Sequence, residues 1–211
     1  LEERGLTWRA IFALERLLAG AADLIVCNSW AGRAHLERSR FPSDAIAVVA
    51  NGIDTERFRP DPAARKRRRA ELGFSDDDIV IGLVARLDPM KDHETFLRAA
   101  AELARNVPEA RFVCVGGGAD GYARELRMLG NSLGLDDRLV WAGTRKEVPE
   151  MLNAFDIATL SSAYGEGFPN VVGEGMATAL PYVATDVGDA AKIIGDAGAV
   201  VPVASPSALA A

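Results

Sequence analysis

The chain has 211 residues, of which 49% are hydrophobic and 26% charged, and it carries a net charge of −6. That length supports one large or two small globular domains with cores of their own. The acidic balance argues against a chain whose main task is neutralising nucleic-acid phosphates, and no apolar run approaches the roughly 18 residues that a membrane helix needs.

From the N-terminus, apolar runs at 24–27 and 46–49 read as short strands. Cys27 lies in the first run and Cys114 in a later one, so both are expected to be buried, inert thiols rather than a disulfide or a zinc site. His35 and His93 have no ligand-spaced partners and read as helix-surface residues. A reducing cytoplasm is the simplest compartment for such a chain, and no charged-then-apolar signal segment appears in it. The turn residues and prolines of Asn51-Gly52-Ile53-Asp54 and Phe58-Arg59-Pro60-Asp61-Pro62 suit a linker between two domains. The basic run Arg65 to Arg69 that follows is expected to form the wet face of a helix leading to Gly73.

Beyond the linker, apolar runs at 79–85, 112–115, 139–141, 157–160 and 182–184 alternate with helical patterns such as 93–105 and 122–133. This alternation predicts an α/β, Rossmann-like parallel sheet covered on both faces. Ligands of such sheets gather beyond the carboxyl ends of the strands. Four loops fall there, carrying Arg86, the glycines 116–118, the stretch from Gly143 to Arg145, and the stretch from Ser161 to Asn170.

Each loop has a specific and a plain reading. Arg86 offers a planar fork and Lys91 a movable point charge, together suited to a diphosphate; the plain alternative pairs Lys91 with Asp88 or Asp92. Gly116-Gly117-Gly118-Ala119-Asp120-Gly121 matches the dinucleotide fingerprint, so a nicotinamide-dependent oxidoreductase is a rival. The acidic residue that fingerprint wants is misplaced, since Asp136 and Asp137 precede the next strand instead of ending it. The most informative pair is Glu166 and Glu174, one on a loop and one about a turn inside a helix that starts near Asn170 or Val171 with Asn170 as its cap. Two carboxylates beside a helix N-terminus suit a ligand rich in hydroxyls and phosphates, such as a nucleotide sugar; the plain reading is a solvated turn.

The order and spacing of Asn51-Gly52-Ile53-Asp54, Phe58 and Pro60, Arg86 with Lys91, the glycines from Gly116, and Glu166 through Glu174 resemble family 4 glycosyltransferases. The resemblance runs from about Leu6 to the C-terminus. It implies the two-domain glycosyltransferase B fold, with most of the first domain absent: residues 1–50 ending the acceptor-side domain, 51–61 linking, and 62–211 forming a nucleotide-sugar domain truncated at its C-terminus. It implies that Arg86 and Lys91 grip the donor diphosphate as catalytic stabilisers and that Glu166 faces the donor sugar. Backbone groups of Gly116, Gly117, Gly167, Phe168, Asn170 and Val171 would contact sugar or phosphate, Glu174 would hold the ribose hydroxyls, and backbone near Thr144 and Arg145 would meet the base.

The resemblance further implies retaining transfer from a nucleoside-diphosphate sugar, UDP favoured over GDP, to a glycan or lipid-linked glycan. No cofactor and no metal are implied. A full-length parent could touch the inner face of a membrane. The chain departs from the family in having Asp92 where glycine often follows the motif lysine, and in lacking the upstream glycine loop and donor-contacting histidine. It starts at Leu1 and stops at Ala211, so it is expected to be a piece of a longer chain, inactive alone. The rival readings are a noncatalytic nucleotide-sugar-binding module and a sugar-nucleotide epimerase on the same fold.

Overall fold

A computed structural model describes residues 6–211, which form two compact units, one up to Asn51 and one from Gly52 onward. The first holds α1 (Leu6–Ala19), β1 (Ile25–Cys27), α2 (Trp30–Arg38) and β2 (Ile46–Val48), with the two strands paired in parallel from Ile25 opposite Ile46. Ser29 caps α2 by accepting the Gly32 N–H at 3.0 Å. Cys27 is half-buried rather than enclosed, because a two-stranded sheet covers it on few sides.

The second unit opens with residues 52–61, the segment read as joining the domains. From Gly52 on they are docked on this unit: Phe58 is in its core, and Asn153 clasps both the Asp61 N–H (2.7 Å) and the Arg59 carbonyl (3.1 Å). Helix α3 (Pro62–Leu72) begins with Asp61 accepting from the N–H groups of Ala63 and Ala64, and ends at Gly73 with φ 78°. Proline at the first position and a left-handed glycine after the last are the ordinary helix boundaries.

Six parallel strands follow: β3 (Ile79–Val84), β4 (Ala110–Val115), β5 (Leu139–Gly143), β6 (Ile157–Leu160), β7 (Tyr182–Thr185) and β8 (Gly198–Val201). Their order across the sheet is β5-β4-β3-β6-β7-β8. The connecting helices are α4 (His93–Asn106), α5 (Asp120–Ser132), α6 (Val148–Leu152), α7 (Asn170–Ala177), α8 (Ala190–Ile194) and α9 (Pro206–Ala210). Alternation along the strands divides two cores. Val80, Val113, Ala158, Leu160, Phe155 and Tyr182 lie on one face, and Ile81, Leu83, Phe112, Cys114, Phe96 and Leu97 on the other. Gly82 is required between them, because a Cβ there would overlap the Phe155 ring. Strand β8 is absent from the sequence reading; it is an exposed edge strand of Gly-Ala-Val-Val and shows no apolar alternation.

The basic run of α3 corrects its expectation. Lys66 and Arg67 do lie on a wet face, but the other arginines of the run form a latch. Arg69 is only 2% exposed and reaches the Asp78 carbonyl and Asp156, at 3.2 Å, while Arg65 meets Asp156 at 2.6 Å. Arg67 and Arg68 both reach Glu150 at 2.7 Å. Asp156 also accepts the Val80 N–H at 2.7 Å, so one carboxylate at the leading edge of β6 ties α3 to the two central strands. Removing one partner of a buried pair leaves the other charge uncompensated. Asp156→Ala is therefore expected to cost about 3 kcal/mol in urea unfolding, and adding Arg69→Met should recover part of that loss.

Candidate active site

In this strand order the connections diverge from β3 and β6, which makes the crevice between their carboxyl ends the switch point where open sheets bind ligands. The loop after β3 continues the sheet pairing past the strand ends. Ala85 donates to the Val115 carbonyl at 3.0 Å and Leu87 to that of Gly117 at 2.9 Å, with Leu87 bridged to Gly118. A Cβ at Gly116 (φ 147°) would strike the Ala85 carbonyl, one at Gly117 the Thr144 hydroxyl, and one at Gly118 the Leu87 carbonyl. Gly116 and Gly118 thus record a close passage of the loops after β3 and β4, and Gly117 one of the loops after β4 and β5.

Asp88 accepts the Met90 N–H at 2.9 Å and starts a turn of 3₁₀ helix at Pro89–Lys91. Asp92, which stands where glycine was expected, keeps the left-handed conformation (φ 44°, ψ 56°). It also caps α4 through the Thr95 N–H at 3.1 Å and the Thr95 hydroxyl at 2.6 Å. Aspartate is among the few residues that tolerate this region, so the phosphate-side loop keeps its geometry.

Lys91 pairs with neither Asp88 nor Asp92. Its ammonium lies 2.5 Å from Glu166 Oε1, across the switch point, with the two side chains 15% and 8% exposed. The Ser162 hydroxyl donates to the same oxygen at 2.5 Å. Ser161 donates to the Lys91 carbonyl at 2.8 Å, the Ala163 N–H to that of Met90 at 2.9 Å, and Thr185 to that of Ser162 at 2.6 Å. Sequence reasoning missed Ser161, Ser162 and Thr185. The available signal was a pair of hydroxyls placed directly after the apolar run of β6, where no solvent-facing turn was needed. Arg86, by contrast, is 72% exposed and lies 3.7 Å from Asp88.

The loop after β6 is shaped by two further glycines. Gly165 (φ 79°) packs on the Met90 sulfur, and a Cβ at Gly188 (φ 64°) would press on the carbonyls of Glu166 and Gly167. Asp189 N–H donates to the Gly167 carbonyl at 2.9 Å. Phe168 is partly buried, and Pro169 precedes α7, in which Asn170 is the first helical residue and Val171 the second. Asn170 was expected as the cap; the capping position is Pro169, with no side-chain cap. Glu174 stands one turn in, half-buried, and burial raises its carboxyl above the usual range against the opposing pull of Arg57. Thr144 is exposed, whereas the Arg145 side chain turns back to the Ala142 carbonyl (2.9 Å) and Glu71 (2.7 Å). Only backbone near Arg145 remains for a ligand.

The structure therefore gathers Arg86, Lys91, Gly116, Gly117 and residues 166–171 at the carboxyl ends of β3, β4 and β6, with Glu174 and Thr144 flanking them. An exposed guanidinium, a mostly shielded ammonium and a helix N-terminus are groups whose chemistry suits phosphate, and the carboxylates beside them can accept from hydroxyls.

These are the features of a nucleotide-sugar enzyme's donor half, and comparison with known proteins places the chain. Residues 78–211 match the glycosyl transferases group 1 and residues 1–57 the Glycosyltransferase Family 4; the chain belongs to the glycosyl transferases group 1. It is 34% identical over 190 residues to a D-inositol 3-phosphate glycosyltransferase of Acidothermus cellulolyticus, covering 85% of this chain and 42% of that protein. It is 32% identical over 196 residues to a GDP-mannose-dependent alpha-(1-6)-phosphatidylinositol monomannoside mannosyltransferase of Mycolicibacterium smegmatis, covering 88% and 50%. The fold matches the Anabaena protein Alr3699/HepE in complex with UDP, with a TM-score of 0.88, 26% identity, and coverage of 94% and 55%. This is the glycosyltransferase B fold. The chain spans about half the length of the relatives it matches.

His93 corrects a second expectation. Far from lying on a helix surface, it is fully buried, and neither ring nitrogen has a hydrogen-bond partner. Burial, helped by the positive charge of Lys91, lowers its pKa from 6.5 to about 4. The unfolded chain therefore binds the extra proton between those values, and stability must fall as pH drops from 6.5 toward 4. At about 1.4 kcal/mol per pH unit the full loss is about 3 kcal/mol, and His93→Leu should flatten that limb of a denaturation-against-pH series.

Proposed function

We propose that this chain is the donor-binding half of a retaining glycosyltransferase, and that its full-length parent transfers sugar from a nucleoside-diphosphate sugar to a glycan or lipid-linked glycan. The observation that carries the reading is the Lys91–Glu166 pair, which bridges the switch point between β3 and β6 and uses the same loop that carries the exposed Arg86. As the sugar departs, negative charge grows on the diphosphate, and Arg86 and Lys91 stand where they lower its energy most. The N-terminus of α7, near Gly167, Phe168, Asn170 and Val171, adds backbone donors to the same charge.

Glu166, already bound to an ammonium and a hydroxyl, acts on this reading as an acceptor for sugar hydroxyls and a counter-charge to the developing positive centre, not as a free nucleophile. That suits attack on the face the phosphate leaves, with the departing oxygen taking the acceptor proton. Glu174 accepts from the ribose. UDP is favoured over GDP as the donor nucleotide, supported by the UDP bound in the structural neighbour. Transfer at the cytoplasmic face of a membrane suits a lipid-linked acceptor. Among the described residues no helix is long and apolar enough to cross one.

Calorimetric titration of the chain with UDP, GDP, UDP-glucose, GDP-mannose and NAD tests the reading. One nucleoside diphosphate and its sugar should bind; binding of NAD alone would overturn it. Arg86→Ala should weaken diphosphates more than nucleosides. Glu174→Gln should weaken nucleotide about tenfold. Because burial raises the folded-state pKa of Glu174, its ionised form is disfavoured in the fold. The same variant should therefore melt higher than the parent chain without ligand at neutral pH.

A further inference from the structure

Ser162 is fully buried, at the end of β6, on a loop whose course is fixed from three sides. Its own carbonyl accepts from the buried Thr185 hydroxyl at 2.6 Å, the neighbouring Ser161 hydroxyl holds the Lys91 carbonyl at 2.8 Å, and the following Ala163 N–H holds that of Met90 at 2.9 Å. The Ser162 hydroxyl is therefore aimed by backbone, and it is aimed at Glu166 Oε1, 2.5 Å away.

Lys91 occupies that same oxygen at 2.5 Å. An ammonium has three donors and a carboxylate about four acceptor positions. With both donors gathered on Oε1, Oε2 takes neither of them, and the two other donors of Lys91 are not used on Glu166. Without the serine, the carboxylate can rotate about its terminal bond, a torsion with broad wells, and trade one oxygen for the other against the lysine.

We propose that Ser162 is the positioning residue of the donor site: its hydroxyl fixes the carboxylate of Glu166 so that Oε2 meets the donor sugar while Lys91 is held toward the diphosphate. It touches neither ligand group itself. The inference rests on the donor-site reading above and adds to it a residue that acts only through Glu166. A hydroxyl placed for packing alone would show its loss whatever stands at 166.

The experiment is a double-mutant cycle on the chain, titrated with UDP-glucose and GDP-mannose, with thermal melts confirming that each variant is folded. Ser162→Ala is expected to weaken the nucleotide sugar that binds about tenfold, the scale for a hydrogen bond to a charged group. Ser162→Thr, which keeps the hydroxyl, should restore most of the affinity. In a Glu166→Ala background, or Glu166→Leu should the first not fold, Ser162→Ala should change affinity by less than about twofold, the limit of ordinary additivity. An unchanged affinity in Ser162→Ala, or an equal loss in both backgrounds, overturns the positioning role while leaving the donor site standing. Failure of the unaltered chain to bind any nucleotide or nucleotide sugar overturns both.

Discussion

Two loops that lie side by side beyond the ends of their strands set the geometry on which the rest of the second unit depends. Parallel pairing of β3 with β4 does not stop at Val84 and Val115; it runs on through Ala85, Leu87 and Gly117. A chain can pass that close only where the neighbour has no side chain, and Gly116 and Gly118 meet the requirement. The loop so clamped is the one that carries Arg86 and Lys91. On its other flank Ala163 and Ser161 hold it against the loop after β6. The backbone that carries the cations is thus set by hydrogen bonds from both neighbouring loops, while the Glu166 carboxylate is held by side chains, Lys91 and Ser162.

The two ends of the sheet use charge differently. At the leading edge Asp156 collects two arginines and a backbone N–H, and of the groups gathered there the buried Arg69 Nε is left without a hydrogen-bond partner. At the carboxyl edge Arg86 is mostly in water, Glu174 is half-buried with its ionised form disfavoured, and His93 is enclosed with both nitrogens unsatisfied. The first end stabilises and the second is left partly unstable, a division expected where a ligand has to complete the polar contacts.

Much of this was legible in the sequence. Strands β3 to β7 announce themselves as apolar runs between turn residues, and Rossmann-like α/β packing follows from their alternation with helices. The motif residues fall after the right strands. What stayed hidden depends on contacts remote in sequence. The Arg65–Arg69 run looks solvated because its partners Asp156 and Glu150 lie more than 80 residues on. Lys91 has two acidic neighbours in sequence yet pairs with a third, 75 residues away. His93 follows a charged loop, and only the packing of α4 on the sheet shows that its ring is enclosed. Strand β8 has no hydrophobic pattern because it is an edge with little to bury.

The pairing of Lys91 with Glu166 also divides attraction by range. Seen from a Debye length away, about 8 Å at physiological salt, a neutralised and mostly shielded pair has little field. On the proposed reading, the exposed Arg86, 3.7 Å from Asp88, is then the cation whose field an approaching diphosphate meets first. On that reading salt screens the exposed Arg86 far more than the Lys91–Glu166 pair, whose side chains are 15% and 8% exposed.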